Sequence, residues 1–351
     1  MANIIYSKMV EKNEPMYGKF IHPIKMCIEN ESNACEKNEA ILKALFNVEK
    51  STRYAESFIG ESDFDVFQGA LEGAGAENDS IGKTFEKTIQ HHQFMKEFTI
   101  TKEMMDDSKF GIAADAKRRA EAFTRAYYKT RTKLACSMLI NGTKESYVFA
   151  KTHLEPTTFD GKPLFHNAHT YSSDKMKGQT QSNYFSGNFK TVSDLEIMLN
   201  KAANKLRNMK DENGETLEYV ADTIIIPTNK PDLEAMVKKV CGSERTVGSN
   251  NNDINTQYGN WSIIVLPNWE TDDNRFMIMS SEANKNLSGN MFFDRVPLDI
   301  STHVDQHTRN LVVNGYSRMG VGITTYKHIA LVVPEEVTTG TPTNINPSES
   351  T

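Results

Sequence analysis

Apolar positions recur at three- and four-residue steps through Ile112, Ala116, Ala120, Phe123, Tyr127, Leu134 and Met138, which predicts one long helix over residues 103–140. Glu103, Asp106 and Asp107 crowd its start, where the helix dipole favours negative charge, and Asn141-Gly142 supplies a stop. Helical throughout, such a segment would extend on the order of 50 Å. A second helical period runs through Leu195, Met198, Leu199, Ala202 and Leu206, with Ser193 and Glu196 in capping-box spacing. A short apolar strand follows at Asp222–Pro227, then a helix opened by Pro231, then strands at Trp261–Pro267 and Arg275–Ser281. This alternation gives residues 190–300 an α/β or α+β character.

The flanks read differently. Ala40, Ile41, Ala44, Leu45 and Val48 predict a short amphipathic helix within Ala34–Ser51, and the residues before it show no clear period and read as an extended arm. Residues 308–333 read as two or three strands broken at Asn314-Gly315 and near Lys327, and the Thr/Pro/Ser/Asn-rich tail from Glu335 as disordered. Between Phe58 and Phe98, apolar and polar residues alternate on both sides of a middle that holds Gly69, Gly73, Gly75 and Gly82 and few aliphatics. That is the pattern of a long hairpin whose tip has no core of its own to bury against. A segment so poor in core residues has an external task.

Composition narrows the function classes. The 351 residues are 38% hydrophobic with a mean hydropathy of -0.53, which suits a subunit that spends surface on neighbours. A net charge of -6 argues against non-specific nucleic-acid binding by the whole surface. Cys27, Cys35, Cys136 and Cys241 share no C-x-x-C spacing, so they read as reduced thiols of a protein that stays inside the cell making it. No apolar run has the length of a membrane span, and the N-terminus lacks a signal-peptide core.

Three stretches invite a chemical reading. Residues 155–169, EPTTFDGKPLFHNAH, place His166 and His169 beside Asp160 as candidate ligands for a metal-dependent hydrolase; architecturally, Asp160-Gly161 makes a turn, Pro163 stiffens it, and Leu164-Phe165 anchor it. First-row metal sites need three or more converging ligands, so the default for these histidines is surface or interface contact. Ser80–Thr84 ends like a P-loop, but the required first glycine is Glu77, and His303/His307 lack the glutamate of H-E-x-x-H. Lys117, Arg118, Arg119, Arg125, Lys129, Arg131 and Lys133 make the long helix basic, which suggests either a DNA-binding module or ion pairs and solvation spread around the helix. No nucleophile elbow or Cys/His pair stands in catalytic context, and no cofactor is indicated.

The order of parts, from arm through glycine-rich hairpin, long basic helix and α/β domain to final strands, resembles tailed-bacteriophage major capsid proteins of the Hong Kong 97-type α+β fold, most closely Mu-like head subunits. The motifs carrying the likeness are Asp160-Gly-Lys-Pro-Leu-Phe165-His166 and the acidic helix start Thr99–Asp107. The resemblance implies an N-arm (1–57), an extended loop (58–102), a spine helix with part of the peripheral domain (103–190), an axial domain (191–300), returning peripheral strands (301–335) and a flexible tail (336–351). It implies a non-enzymatic virion protein, assembled in a bacterial host's cytoplasm into hexamers and pentamers around double-stranded DNA. Implied partners are a portal, a decoration protein and either a separate scaffold or none, since no coiled-coil-like scaffolding segment precedes the arm. Intersubunit contacts are expected from Phe64, Phe67, Leu71, Lys83 and Phe85 of the loop, Arg118 and Arg125 of the spine, and Asn251 and Asp253 of the 242–260 loop. Lys83 or Lys87 with Asn310 or Asn314 are the regional candidates for an isopeptide cross-link.

Overall fold

In the computed structural model the described residues are 4–8, 18–37, 39–61, 69, 83–107, 114–244 and 254–335. The chain opens with β1 (Ile5–Lys8), α1 (Gly18–Lys37), α2 (Ala40–Leu45) and β2 (Asn47–Lys50). The expected extended arm therefore contains a 20-residue helix. Its apolar stripe is narrow, with Ile24, Ile28 and Ser32 buried four residues apart, and Pro23 interrupts the pattern that a periodicity reading needs.

The hairpin strands are β3 (Ala55–Glu61) and β4 (Lys83–Gln90), paired antiparallel with Phe58 opposite Lys87. β5 (His92–Ile100) continues directly from β4. The single long helix predicted next is replaced by α3 (Lys102–Asp106) and α4 (Ala114–Ile140), residues 108–113 lying outside the described residues. Thr101 caps α3 by accepting Met104 N–H at 3.3 Å, and the acidic cluster is spread along this short helix, with Glu103 in its first turn, Asp106 its last residue and Asp107 its C-cap. With 27 residues, α4 is about 40 Å long at 1.5 Å per residue.

Two small hairpins follow, β6 (Tyr147–Phe149) with β7 (Thr152–Leu154), and β8 (His169–Thr170) with β9 (Thr180–Gln181). The remaining elements are β10 (Tyr184–Gly187), α5 (Val192–Arg207), β11 (Thr223–Pro227), α6 (Pro231–Gly242), β12 (Ser262–Leu266), β13 (Phe276–Met279), α7 (Ser281–Asn286), β14 (Asn290–Val304), β15 (Leu311–Ile323) and β16 (Ile329–Pro334). Thr191, not Ser193, caps α5, accepting Asp194 N–H at 3.2 Å; the capping logic holds two residues earlier than expected.

Two sheets organise the subunit. The first runs β1-β14-β15-β5, with β2 also paired to β14; the second runs β10-β16-β13-β11-β12. β10 pairs parallel with β16, and β16 joins the second sheet although the residues before it belong to the first. β15 also passes unbroken through Asn314-Gly315, which was expected to end a strand. Gly315 serves a close approach: a Cβ there would lie 2.3 Å from Phe123 Cζ of α4.

α4 ties the two cores together. Ala116, Ala120 and Phe123 near its start pack with Ile24, Ile28, Ile300 and Val313 around the first sheet. Leu134, Ala135, Met138 and Leu139 near its end join the larger core of the second sheet with Leu195, Leu199, Ile225 and Ile278. A helix shared by two cores fixes the spacing of everything mounted on either.

Candidate functional site

The base of the β3–β4 hairpin is fixed to the body of the subunit by packing and hydrogen bonds. Phe58 packs on Phe293 at 5.9 Å between ring centroids, and Ile89 is buried where a Cβ on Gly322 would come within 2.5 Å of it. Ser51 Oγ donates to Glu56 Oε1 at 2.6 Å, so its single proton is used and His91 Nε2, 2.9 Å away, donates to it. Burial lowers the His91 pKa; Glu56 opposes that shift, while Arg318, Arg295 and His92 reinforce it.

Further out, Phe85 stacks on Phe159 with centroids 5.3 Å apart, and Lys87 Nζ donates to Thr157 Oγ1 at 2.6 Å. Burial lowers the Lys87 pKa against the opposing pull of Glu155 and Asp160. Phe85, expected at a subunit contact, thus packs within its own subunit on the 155–169 loop. Lys83 opens β4; Phe64, Phe67, Leu71, Asn251 and Asp253 lie outside the described residues.

The 155–169 loop is a closed hydrogen-bonded knot. Gly161 has φ +75°, the left-handed turn that glycine allows. Asp160 accepts from Thr158 Oγ1 (2.5 Å), Thr170 N–H (3.1 Å) and His169 Nδ1 (2.8 Å). Burial alone would raise the Asp160 pKa, but hydrogen bonds from His169 and Thr158, the His169 charge and Thr170 N–H outweigh it and hold the carboxyl at about 2. His169 Nε2 faces Leu164 O and Asn183 Oδ1, each at 3.2 Å, so both ring nitrogens face protein acceptors and neither points to an open coordination position. This corrects the expectation of a surface or interface contact: His169 is fully buried. His166 Nδ1 accepts from Ala168 N–H at 3.0 Å, and no group of three potential metal-ligating side chains occurs among the described residues. The described residues give the hydrolase reading no support. Leu164 and Phe165 are buried as expected, and Phe165 N–H donates to Gly142 O at 2.8 Å, just past the end of α4.

The basic charge of α4 is largely spent inside the subunit. Arg125 bonds Glu31 of α1 at 3.1 Å, Arg118 pairs with Asp115, Lys117 with Glu121 at 4.0 Å, and Arg119 donates to Thr99 O at 2.6 Å. Arg131 is buried, donating to Glu39 at 2.6 Å and, through Nη2, to Asp294 at 3.0 Å. Burial would lower its pKa, but Tyr127, Asp294 and Glu39 raise it further. Sequence reading missed this junction of α2, α4 and β14, because nothing local marks Arg131 as the buried member of a basic run.

A family described as Phage capsid protein matches residues 85–333. The chain belongs to that family. Among solved structures, the capsid of Myoviridae phage XM1 superposes with a TM-score of 0.50 at 11% identity, covering 84% of this chain and 90% of that one. Mycobacterium phage Patience (TM-score 0.49, 13% identity, 94% and 91% covered) and the capsid of cyanophage P-SCSP1u (0.49, 10%, 84% and 87%) lie close behind. No curated protein sequence matches the chain. The phage capsid protein described here thus has the Hong Kong 97-type α+β fold and is a structural component of a virion shell that assembles from copies of itself, not an enzyme. Neither a hydrolase nor a DNA-binding helix gains support. No helix among the described residues is long and apolar enough to cross a membrane.

Proposed function

We propose that this major capsid protein builds hexamers and pentamers of an icosahedral head around double-stranded DNA, with β3–β4 reaching over a neighbouring subunit. The observation that carries this reading is the hairpin's construction. Its base is fixed by Phe58–Phe293, Ser51–His91 and Phe85–Phe159, while Ser57, Ile59, Glu86 and Thr88 along the strands remain exposed. A strand pair anchored at one end gains burial only when a neighbour arrives, so subunit stability depends on assembly. In this reading residues 1–57 are the N-arm, 58–102 the extended loop, 103–190 and 301–335 the spine and peripheral parts, and 191–300 the axial domain. A separate scaffold, a portal and a decoration protein are the partners that this role calls for, with assembly in the host cytoplasm.

Negative-stain microscopy of the purified protein, with and without residues 69–82, tests it. Closed shells from the full chain and soluble, folded, unassembled subunits from the deletion are expected. Strict monomers of the full chain at high concentration, with scaffold present, would overturn the reading.

A further inference from the structure

A groove runs alongside α4. Between α4 and the first sheet lies a cavity of about 240 Å³, walled by Phe94, Phe123, Tyr127, Leu298 and Met319. For scale, an engineered apolar cavity of roughly 150 Å³ binds benzene. β5 forms one side of the mouth and is the outer strand of its sheet, paired only with β15. Met95 on that strand is 61% exposed.

The other side of the mouth is the β6–β7 turn, where Ala150 (φ 45°) and Lys151 (φ 70°) both occupy the left-handed region. Two consecutive non-glycine residues there hold backbone strain that tight hairpins ordinarily avoid with Asn-Gly. The strained turn sets the small Ala150 side chain at the opening.

One charged residue lines the groove, and two further lysines lie next to lining residues in the sequence. Lys96 lines the cavity, Lys129 lies within one turn of Ala126 and Thr130 on α4, and Lys151 follows Ala150. None of the three makes an ion pair with another of the described residues. The opposite charge is concentrated in one place in the sequence. From Glu61 to Gly82 there are six carboxylates (Glu61, Asp63, Asp65, Glu72, Glu77, Asp79) and no Lys or Arg, with Phe64 between the second and third acids and Val66 and Phe67 directly after the third.

We propose that the groove receives residues 61–67 of a second copy of the chain, with Phe64 filling the cavity and Glu61, Asp63 and Asp65 set against Lys96, Lys129 and Lys151. The inference rests on the shell reading and adds to it where the hairpin lands. Apolar burial supplies affinity, and the charges select register and orientation. Because the rim charges face solvent, their share of the attraction weakens as salt rises.

Charge exchange tests the pairing. Lys96→Glu/Lys129→Glu/Lys151→Glu should keep the wild-type circular dichroism and melting temperature yet lose shells by sedimentation and microscopy at low salt. Glu61→Lys/Asp63→Lys/Asp65→Lys should do the same, and all six changes in one chain should restore shells. Rim variants that assemble like the wild type, or a six-fold variant that stays dissociated, would overturn the groove assignment without touching the shell reading. If the wild-type chain forms no shells, the shell reading fails first. In that case, or if the rim variant does not fold, a labelled peptide of residues 60–69 titrated onto soluble wild-type subunit decides by fluorescence anisotropy. Saturable binding that weakens at least tenfold in Lys129→Glu supports the groove, and absence of binding overturns it.

Discussion

The imidazole of His169 lies flat on the ring of Tyr326, with centroids 3.8 Å apart and planes 7° from parallel. Tyr326 in turn meets Phe159 at 5.9 Å, and Phe159 stacks on Phe85 of the hairpin at 5.3 Å. A continuous run of rings therefore connects the Asp160 knot, the turn that leads into β16, and the hairpin.

Asp160 makes that run sensitive to acid. Its carboxyl is held at about 2, below the ordinary carboxylate value, so the native state binds fewer protons than the unfolded chain. The associated stability, about 2 kcal/mol, is fully present above pH ~4 and is lost as pH falls towards 2. Asp160→Asn should lower the melting temperature at pH 7 and flatten its dependence on pH between 4 and 2, measured by calorimetry.

His328 should dominate a higher pH window. It is fully buried against Gly289, neither ring nitrogen has a side-chain or backbone partner of good geometry, and burial pushes its pKa down to about 3, offset only in part by the Thr325 backbone. The unfolded chain takes up this proton below pH ~6.5 and the native state does not, so stability is full above pH 6.5 and declines as pH drops. The limiting slope is about 1.4 kcal/mol per pH unit. His328→Phe should remove that slope between pH 6.5 and 4 in denaturant titrations, whatever its effect at pH 8.

Arg131 joins three parts of the chain through the buried Glu39 and the half-buried Asp294. Arg131→Met leaves Glu39 and Asp294 without their cation and should cost about 3–5 kcal/mol in chemical denaturation. Adding Glu39→Gln and Asp294→Asn should recover much of that loss, since the cost lies in the orphaned charges.

Gly315→Ala should destabilise by about 1–3 kcal/mol, because its methyl group would occupy the space of Phe123 Cζ. Phe123→Leu in the same chain should relieve part of the effect. Equal destabilisation of the single and double variants in urea titrations would show that Phe123 is not the obstacle.

What could be read from sequence follows the range of the interactions. α5, β11, α6, β12 and β13 were legible because their periods are strong and their boundaries are set by Thr, Pro and polar loops within a few residues. α1 was hidden, since among its described side chains the fully buried ones are Ile24, Ile28 and Ser32, and Pro23 breaks the pattern. Gly315 looked like a turn because glycine signals both a turn and a close approach, and only the aromatic ring from α4 distinguishes them. The 155–169 turn and the burial of Leu164-Phe165 were readable locally. The interior position of His169 was not, because Tyr326 and Asn183, which enclose it, come from distant sequence. The shell role was legible from the order of parts, whereas the stacking of Phe85 on Phe159 was not, because sequence alone could not bring that loop beside the hairpin.

The place of β16 has a consequence for when a subunit becomes competent. It lies between β10 and β13, inside the second sheet, and its parallel partner β10 precedes it by more than a hundred residues. That sheet stays open, with a central strand missing, until the ribosome has delivered residue 334. Late closure by a distant strand is slow and leaves strand edges exposed meanwhile. It also means that a chain cut before β16 leaves β10 and β13 with no strand between them, so the second sheet cannot close.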